Sequence, residues 1–340
     1  MLDRTEEERH FLRRVLIVLG VVVLLLTLWA VREAVLIAFA ALLVAVMLSA
    51  CADFISTRTG LGRRWALILS ALLILAFLGL CGLLVGTQVA SQVTQLINGL
   101  PRALTEVENR LGIDLPSGTA ALPNNIMGHV AGLGRALVDA TSALILAVVG
   151  GGFLAADPQR YRAGVVKLFP KDQTARVEDM LDTLGAVLRR YLLATLVAMV
   201  IIGTAAGLAS WWLGLPAPLA LGLFAGLAQF VPVIGAVVGA VPAVMLAAAQ
   251  GGSVLLWTIG AFVVIQQVES NMITPVVEER LVNIPAFVLL LGIVAAGAVF
   301  GLPGVVLAAP ITVVCFVVVQ KLWVRETLER RVEVAGEGEA

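Results

Sequence analysis

Between Arg190 and Glu278 the chain carries one charged side chain, Glu269, in more than eighty residues dominated by Leu, Val, Ala, Gly and Pro. A lipid bilayer favours such a composition, whereas water does not. A carboxylate at the bilayer centre costs about 2.5–3.5 kcal/mol, so one that is retained there indicates a use. The pattern predicts a polytopic membrane protein whose function lies where polar atoms interrupt the hydrocarbon.

The overall composition agrees with this prediction. Hydrophobic residues make up 60% of the chain and charged residues 14%, against about 45–50% and about 25% in soluble domains. The net charge of zero argues against a nucleic-acid partner, which would call for a basic face. Cys51, Cys81 and Cys315 are scattered through apolar segments, which indicates small core residues and neither a metal site nor a disulfide. Membrane lipids are the expected surroundings.

The apolar runs predict an all-α fold with about six full transmembrane helices and two Pro/Gly-broken hairpins, or about eight to ten crossings in all. The predicted spans are Val15–Val31, Ala34–Ala52, Trp65–Thr87, Thr141–Ala156, Leu192–Leu213 and Val254–Thr274. Only Arg32–Glu33 separates the first two, which predicts a tight hairpin. The N-terminus has the shape of a signal peptide but lacks a small-x-small cleavage pattern, which favours a signal anchor.

Lys and Arg cluster before the first span, at 58–64, at 157–190 and after residue 320. The positive-inside rule makes these segments cytoplasmic, including both termini. The prediction is a single membrane domain, 1–340. Its parts are the cytoplasmic N-terminus 1–14, three spans over 15–87, an extracytoplasmic amphipathic loop 88–140, a cytoplasmic amphipathic segment 157–190, a transport core 191–323 and a cytoplasmic tail 324–340.

Residues 216–250 and 285–320 share an arrangement. Each begins with Pro-Ala, continues through a Gly- and Ala-rich arm and turns, at Pro232 or at Gly301–Gly304. The predicted orientation starts the first outside and the second inside, and such inverted, interrupted segments are typical of a secondary transporter's binding region. Two ordinary kinked hairpins remain the alternative. Gly-x-x-x-Gly pairs such as Gly203/Gly207 indicate close helix contacts, within the chain or between subunits.

Polar side chains gather around Glu269 at the end of an apolar helix that stops at Pro275. Gln266 lies on the same helical face as Glu269, and Asn271 lies on the next. Their amide groups can donate to the carboxylate or coordinate a cargo. The alternative is that Glu269 reaches interfacial water at the cytoplasmic end of its helix. Asp157 is a weaker candidate that either caps a helix or lies at the interface.

The order of these motifs resembles a known family. Gln266-x-x-Glu269-x-Asn271-x-x-x-Pro275 follows Pro232-x-x-Gly235 and precedes Gly301-x-x-Gly304-x-x-x-Ala308-x-Pro310. Together they resemble the autoinducer-2 exporter family of prokaryotic membrane proteins, which includes the PerM-type permeases. The resemblance covers essentially the whole chain. One departure is Val276–Glu279, where family members commonly have a Gly after the proline; this puts a gating role for that turn in doubt.

The resemblance implies an integral transporter of a prokaryotic cytoplasmic (inner) membrane that forms homo-oligomers, with five subunits as the size considered. It implies export of autoinducer-2 or exchange of sodium or lithium for protons. It also implies transport roles for the quoted positions, namely Glu269, Gln266, Asn271, Pro275, Pro232, Gly235, Gly301, Gly304 and Pro310, with Asp157 as a further pathway candidate.

Three classes of function remain open at this point. A secondary transporter or permease fits the broken segments and the isolated carboxylate, and a passive oligomeric channel fits the same features. A membrane enzyme is disfavoured because the sequence has no His-Glu-x-x-His and no Gly-x-Ser-x-Gly motif. No phosphate-binding loop is present either, so ATP would have to come from a partner. No cofactor is expected.

Overall fold

The part of the chain that the structure describes is almost entirely helical. That part comprises residues 3–77, 79–80, 82–83, 141–273 and 284–322 of a computed structural model. The predicted extracytoplasmic loop 88–140, the motif residue Pro275 and the cytoplasmic tail 324–340 lie outside these residues, as does the end of the predicted span Trp65–Thr87.

The helices follow one another in chain order with short connections. They are α1 (Asp3–Thr59), α2 (63–77), α3 (Thr141–Ala156), α4 (Pro158–Val166), α5 (Thr174–Trp212), α6 (Pro218–Ala228), α7 (Ile234–Gln250), α8 (Gly252–Val268) and α9 (Ala286–Val318). Four described stretches are long and apolar enough to cross a bilayer: Trp29–Thr59, Lys171–Trp212, Gly252–Asn271 and Ala286–Leu322. The chain is therefore an all-α polytopic membrane protein.

The tight hairpin predicted at Arg32–Glu33 is wrong, because α1 runs through both residues without a break. Arg and Glu are good helix formers, and neither Gly nor Pro interrupts the chain there. Two adjacent charges therefore do not stop a helix by themselves. The basic clusters around Arg9 and Arg58 lie at opposite ends of one helix, so a single crossing by α1 would place them on opposite faces of the membrane.

The basic segments that follow α1, precede and begin α5, and follow α9 lie at one end of the structure, here called the basic end. Near the C-terminus of α1, Asp53 accepts a 2.8 Å hydrogen bond from Arg189 of α5. Lys321, which follows α9, lies 2.7 Å from Asp179 of α5. The C-terminal ends of α1 and α9 therefore lie beside the N-terminal half of α5, at the same end of the structure.

Glycines bring α5 and α6 into backbone contact. A Cβ on Gly222 would lie 2.5 Å from the carbonyl oxygen of Gly203, and one on Gly226 would lie 2.6 Å from that of Met199. Gly207 lies against Gly222 as well. Small residues at these positions let two helices approach closely. The Gly-x-x-x-Gly pairs of α5 and α6 therefore serve packing within the chain.

We expect Gly222→Ala to destabilise the protein by about 1–3 kcal/mol, because the added methyl must push α6 away from α5. Thermal unfolding in detergent measures the effect. Gly260→Ala is the matched control, since a methyl on Gly260 of α8 would have nothing within 4 Å among the described residues. It should unfold at or above the wild-type temperature, because Ala favours a helix more than Gly does. Equal unfolding temperatures for both variants would contradict the close α5–α6 contact.

α9 folds back on itself and is not one straight span. Gly301 has φ 67° and ψ −150° inside the helical stretch, a conformation that is essentially restricted to glycine. Residues on either side of it then meet: Gly292 lies against Thr312, and Ile293 and Ala296 cluster with Ala308. The segment 285–320 is therefore a helical hairpin, as predicted.

The segment 216–250 forms the other predicted hairpin, with α6 and α7 as its arms. Its base packs at the C-terminal end of α5, where Leu215 clusters with Ala247. The second hairpin starts at the opposite end, where Ile284 packs beside Val187 and Val317. The two hairpins thus enter from opposite ends. α6 has 11 residues, or about 16 Å of helix, against about 30 Å of bilayer hydrocarbon.

Candidate functional site

Glu269 lies where α8 ends. The helix continues from Glu269 to Ile273 as a single π-helical turn. Such turns are rare and occur frequently at functional sites, because they rotate the side chains that follow. The Glu269 side chain is half-buried. The isolated carboxylate of the sequence is thus at an irregular turn and partly shielded from the surroundings.

Two glutamine amides hold this carboxylate, one at each oxygen. Gln229 donates from Nε2 to Oε1 of Glu269 at 2.8 Å, and Gln266 donates from Nε2 to Oε2. Gln229 is 7% exposed. Hydrogen bonds to a charged group contribute about 1.5–3 kcal/mol each. The arrangement, called the glutamine clamp below (Gln229, Gln266 and Glu269), ties α8 to the tip of the first hairpin.

The turn at the tip of the first hairpin directs the Gln229 side chain toward the end of α8. Gln229 ends α6, and the chain reverses over Phe230–Val233. Val233 has φ 67° and ψ −56°, and Ile234 N donates to Pro232 O at 2.7 Å, which closes a γ-turn of a rare, strained kind. A β-branched residue at positive φ is an outlier, and such strain clusters at functional sites.

Gly235 closes the tip behind this turn. A Cβ there would overlap the carbonyl oxygen of Ala228. The second hairpin repeats the feature, since a Cβ on Gly304 would overlap the carbonyl oxygen of Ala296. In both hairpins, a glycine early in the second arm rests on a carbonyl at the end of the first. This shared contact gives Gly235 and Gly304 a common packing role.

The second hairpin's tip is held by α1. Arg32 donates from Nη1 to the carbonyl oxygen of Val299 at 3.2 Å, two residues before Gly301. Its guanidinium carbon lies 3.9 Å from the ring centroid of Trp29, a cation–π distance. A basic group near the last carbonyls of a helical arm stabilises its C-terminus. The continuity of α1 therefore places Arg32 beside this tip.

Both hairpins reach the same cluster of α1 and α5 side chains. Leu43, Leu188 and Leu192 form its buried centre. Phe230, from the tip of the first hairpin, and Leu307, from the second arm of the second, pack against it. The two hairpins thus converge on one part of the α1–α5 contact from opposite ends.

The other predicted site residues are distributed as follows. Pro232 and Gly235 lie at the first tip, beside the glutamine clamp, whereas Gly301 and Gly304 lie at the second tip near Arg32. Pro310 is buried in the second arm of that hairpin. Asn271 is exposed and donates to Gln267 rather than to Glu269. Asp157 is exposed and caps α4 by accepting from Arg160 N at 3.2 Å, which agrees with its predicted capping alternative.

Sequence reasoning missed Gln229 and Arg32. Gln229 is the one polar side chain between Leu215 and Val233. A single amide just before the break predicted at Pro232 could have indicated a functional residue. Arg32 was interpreted as a turn residue because the hairpin was expected there. Among the described residues, no three His, Cys, Asp or Glu side chains lie close enough to hold a metal ion together.

The fold and site define a multi-pass helical membrane protein in which two hairpins converge on the α1–α5 contact and the tip of the first holds a clamped carboxylate. The chain belongs to the AI-2E family transporters, whose family model matches residues 18–323. It is therefore a member of a transporter family, and the motif resemblance seen in the sequence is confirmed.

Individual relatives agree with this membership. Among the relatives named "Putative transport protein" are MT0215 of Mycobacterium tuberculosis, 31% identical over 87% of this chain and 85% of that protein, and YueF of Bacillus subtilis, 25% identical over 73% and 74%. YrrI of Bacillus subtilis, of the same name, is 34% identical over 44% of this chain, and the match spans 41% of that protein.

Proposed function

We propose that this protein is a secondary transporter or permease that moves a small molecule or an ion across the prokaryotic cytoplasmic membrane, similar to autoinducer-2 exporters. Glu269 is the group that binds the coupling proton or cation. The observation that carries the proposal is the glutamine clamp, in which a carboxylate is held between α8 and the tip of the first hairpin. Homo-oligomers, with five subunits as the size considered, are part of the proposal.

The clamp can couple the binding of an ion at Glu269 to a movement of the first hairpin. A charged carboxylate accepts stronger hydrogen bonds than a neutral carboxyl group does. Binding of a proton to Glu269 removes the charge and converts one oxygen from an acceptor to a donor. The bonds from Gln229 and Gln266 then weaken, and the first hairpin is released from α8. Occupancy of Glu269 thereby selects between two positions of the hairpin tip.

An exchanger of sodium or lithium for protons is the alternative function. Carboxylate and amide oxygens are the hard oxygen ligands that such ions favour, and Glu269 and the amide oxygens of the clamp supply them. A passive channel is the third candidate, and it would not need Glu269 to change its charge.

A flux assay distinguishes these functions. The purified protein is reconstituted in vesicles with an imposed proton gradient, and uptake of sodium, lithium, protons and a furanosyl signalling molecule is followed. We expect sodium, lithium or the furanosyl molecule to accumulate against its own gradient, while protons move down theirs. Cation accumulation with proton release would select the exchanger, and equilibration without accumulation would select the channel.

We expect Gln229→Leu to lower this coupled flux about tenfold or more, because it removes a hydrogen bond to a charged group that contributes about 1.5–3 kcal/mol. The matched control is Gln250→Leu, which changes the same residue type at the base of the same hairpin. There Gln250 makes a long, 3.4 Å contact with Gly214 O. Wild-type flux in the Gln229 variant would remove the hairpin tip from the coupling step.

The orientation is part of the proposal. The basic end carries Arg58, Arg189 and Lys321, and excess Lys and Arg mark the cytoplasmic face. α2 begins at this end and α3 finishes there, so the end of α2 and the start of α3 both point toward the opposite end. We expect Gly118→Cys, in a background without Cys51, Cys81 and Cys315, to react with an impermeant thiol reagent added outside intact cells. Labelling only after lysis would reverse the orientation.

A further inference from the structure

The helix α4 turns sharply away from the apolar helix before it. α3 exposes apolar side chains such as Leu146 and Phe153, 58% and 65% exposed. The axes of α3 and α4 meet at 88° across Asp157–Pro158. Proline at the start of α4 and the Asp157 cap fix the new direction. If α3 spans the bilayer, α4 starts where the hydrocarbon ends and runs parallel to the membrane surface.

One side of α4 is fixed to α5. Arg162 lies 2.6 Å from Asp182 through Nη2 and Oδ2, and it donates to the carbonyl oxygen of Glu178 at 3.2 Å. Val166, one turn later on the same side, is buried. Pairs as exposed as Arg162–Asp182 stabilise little by themselves. Together with the Val166 packing, however, this pair determines which sides of α4 face outward.

A second side of α4 is an apolar edge that the described residues leave uncovered. Tyr161, Val165 and Leu168 follow one another at helical spacing and are 45%, 40% and 82% exposed. Phe169, the next residue, is 45% exposed. These side chains have the apolar and aromatic character of an interfacial helix.

The third side is basic. Arg160 and Lys167 are seven residues apart, hence on one face, and Lys171 begins the short helical turn that follows α4; all three are exposed. From Asp157 through Arg176, both included, the chain has five basic and two acidic residues. An apolar edge beside a basic face, parallel to the membrane, complements the negatively charged headgroups of anionic phospholipids.

We propose that α4 and the turn after it, residues 158–171, form a docking surface for anionic phospholipid headgroups at the basic end of the protein. Leu168 and Phe169 enter the interface, while Arg160, Lys167 and Lys171 contact phosphate groups. Each basic side chain near an anionic surface contributes about fivefold in partitioning, which is ~1 kcal/mol at 1.4 kcal/mol per tenfold. The inference depends on membrane embedding and is independent of cargo and coupling ion.

The test uses the full chain in vesicles with an environment-sensitive fluorophore on Leu168→Cys, in a background without the three native cysteines. Phosphatidylcholine vesicles are compared with vesicles of increasing phosphatidylglycerol content. We expect a blue-shifted emission and a several-fold lower iodide quenching constant as phosphatidylglycerol increases. A fluorophore on Gln159→Cys, on the opposite side of α4, should show no such change.

Charge reversal completes the test. Lys167→Glu combined with Lys171→Glu should remove the dependence on phosphatidylglycerol at position 168. Arg63→Glu combined with Arg64→Glu, an equal charge change at the start of α2, should preserve it. Emission and quenching at position 168 that are the same in both kinds of vesicle would overturn the proposal. Shielding at that position without any lipid dependence would also overturn it, and would show that another protein segment or a second copy of the chain covers the edge.

Discussion

Glu269→Gln abolishes gradient-driven transport if the clamped carboxylate is the coupling group, with an expected loss of at least tenfold in proton-coupled flux. Glutamine preserves the size of the side chain but cannot bind and release a proton. It also offers one acceptor oxygen where two amide donors, from Gln229 and Gln266, now find two. The flux assay in reconstituted vesicles measures the loss, and the helical content of the purified variant checks its folding.

Asp172→Asn is the matched control for this prediction. It makes the same carboxylate-to-amide change at an exposed residue in the short helical turn before α5, and it should transport at the wild-type rate. Undiminished and still pH-sensitive transport by the Glu269 variant would exclude this carboxylate from the mechanism. The passive channel would then be favoured over the secondary transporter.

Gly235→Ala is expected to have the next largest effect, because it acts on both the fold and the site. The added methyl would overlap the Ala228 carbonyl oxygen and lie 3.0 Å from the Gln229 Cα. Overpacking of this kind costs about 1–3 kcal/mol, and the tip can relieve it only by opening. Opening withdraws Gln229 from Glu269, so we expect both a lower unfolding temperature and at least a tenfold loss of coupled flux.

A milder substitution separates loss of the fold from loss of the clamp. Gly239→Ala, one turn further along α7, places its methyl 3.0 Å from the Ala225 Cα, away from the tip. It should destabilise the hairpin while keeping more flux than the Gly235 variant. If the Gly235 variant retained the unfolding temperature and flux of Gly260→Ala, the tight tip would not position Gln229.

The sequence was sufficient to predict the fold class and both hairpins. Their breaks depend on local chemistry that is visible in one dimension: Pro232 and Gly235 at the first, Gly301 and Gly304 at the second. Gly301 needs a glycine for its dihedral angles, whereas Gly235 and Gly304 need one for space. Because each requirement selects glycine, both breaks could be recognised from the sequence.

Long-range partners are what the sequence could not supply. Gln229 and Glu269 are forty residues apart, and only the packing of α6 and α7 on α5 brings them together. The error at Arg32–Glu33 has a related cause. Charges in an apolar run predict a turn when the helix is considered alone. In the structure, however, Arg32 donates to Val299 O, 267 residues later. Because the charged side chain has this partner, α1 can continue through it.

The claim that the hairpin tip and Glu269 act as one unit is tested most directly by a double-mutant cycle on coupled flux. Glu269→Asp shortens the carboxylate by one methylene and withdraws it from Gln229 while keeping its charge. Since the bond is then already lost, adding Gln229→Leu should lower the flux no further than Glu269→Asp alone does. Flux in the double variant that falls by the product of the two single effects would show that Gln229 and Glu269 act independently, which contradicts the clamp.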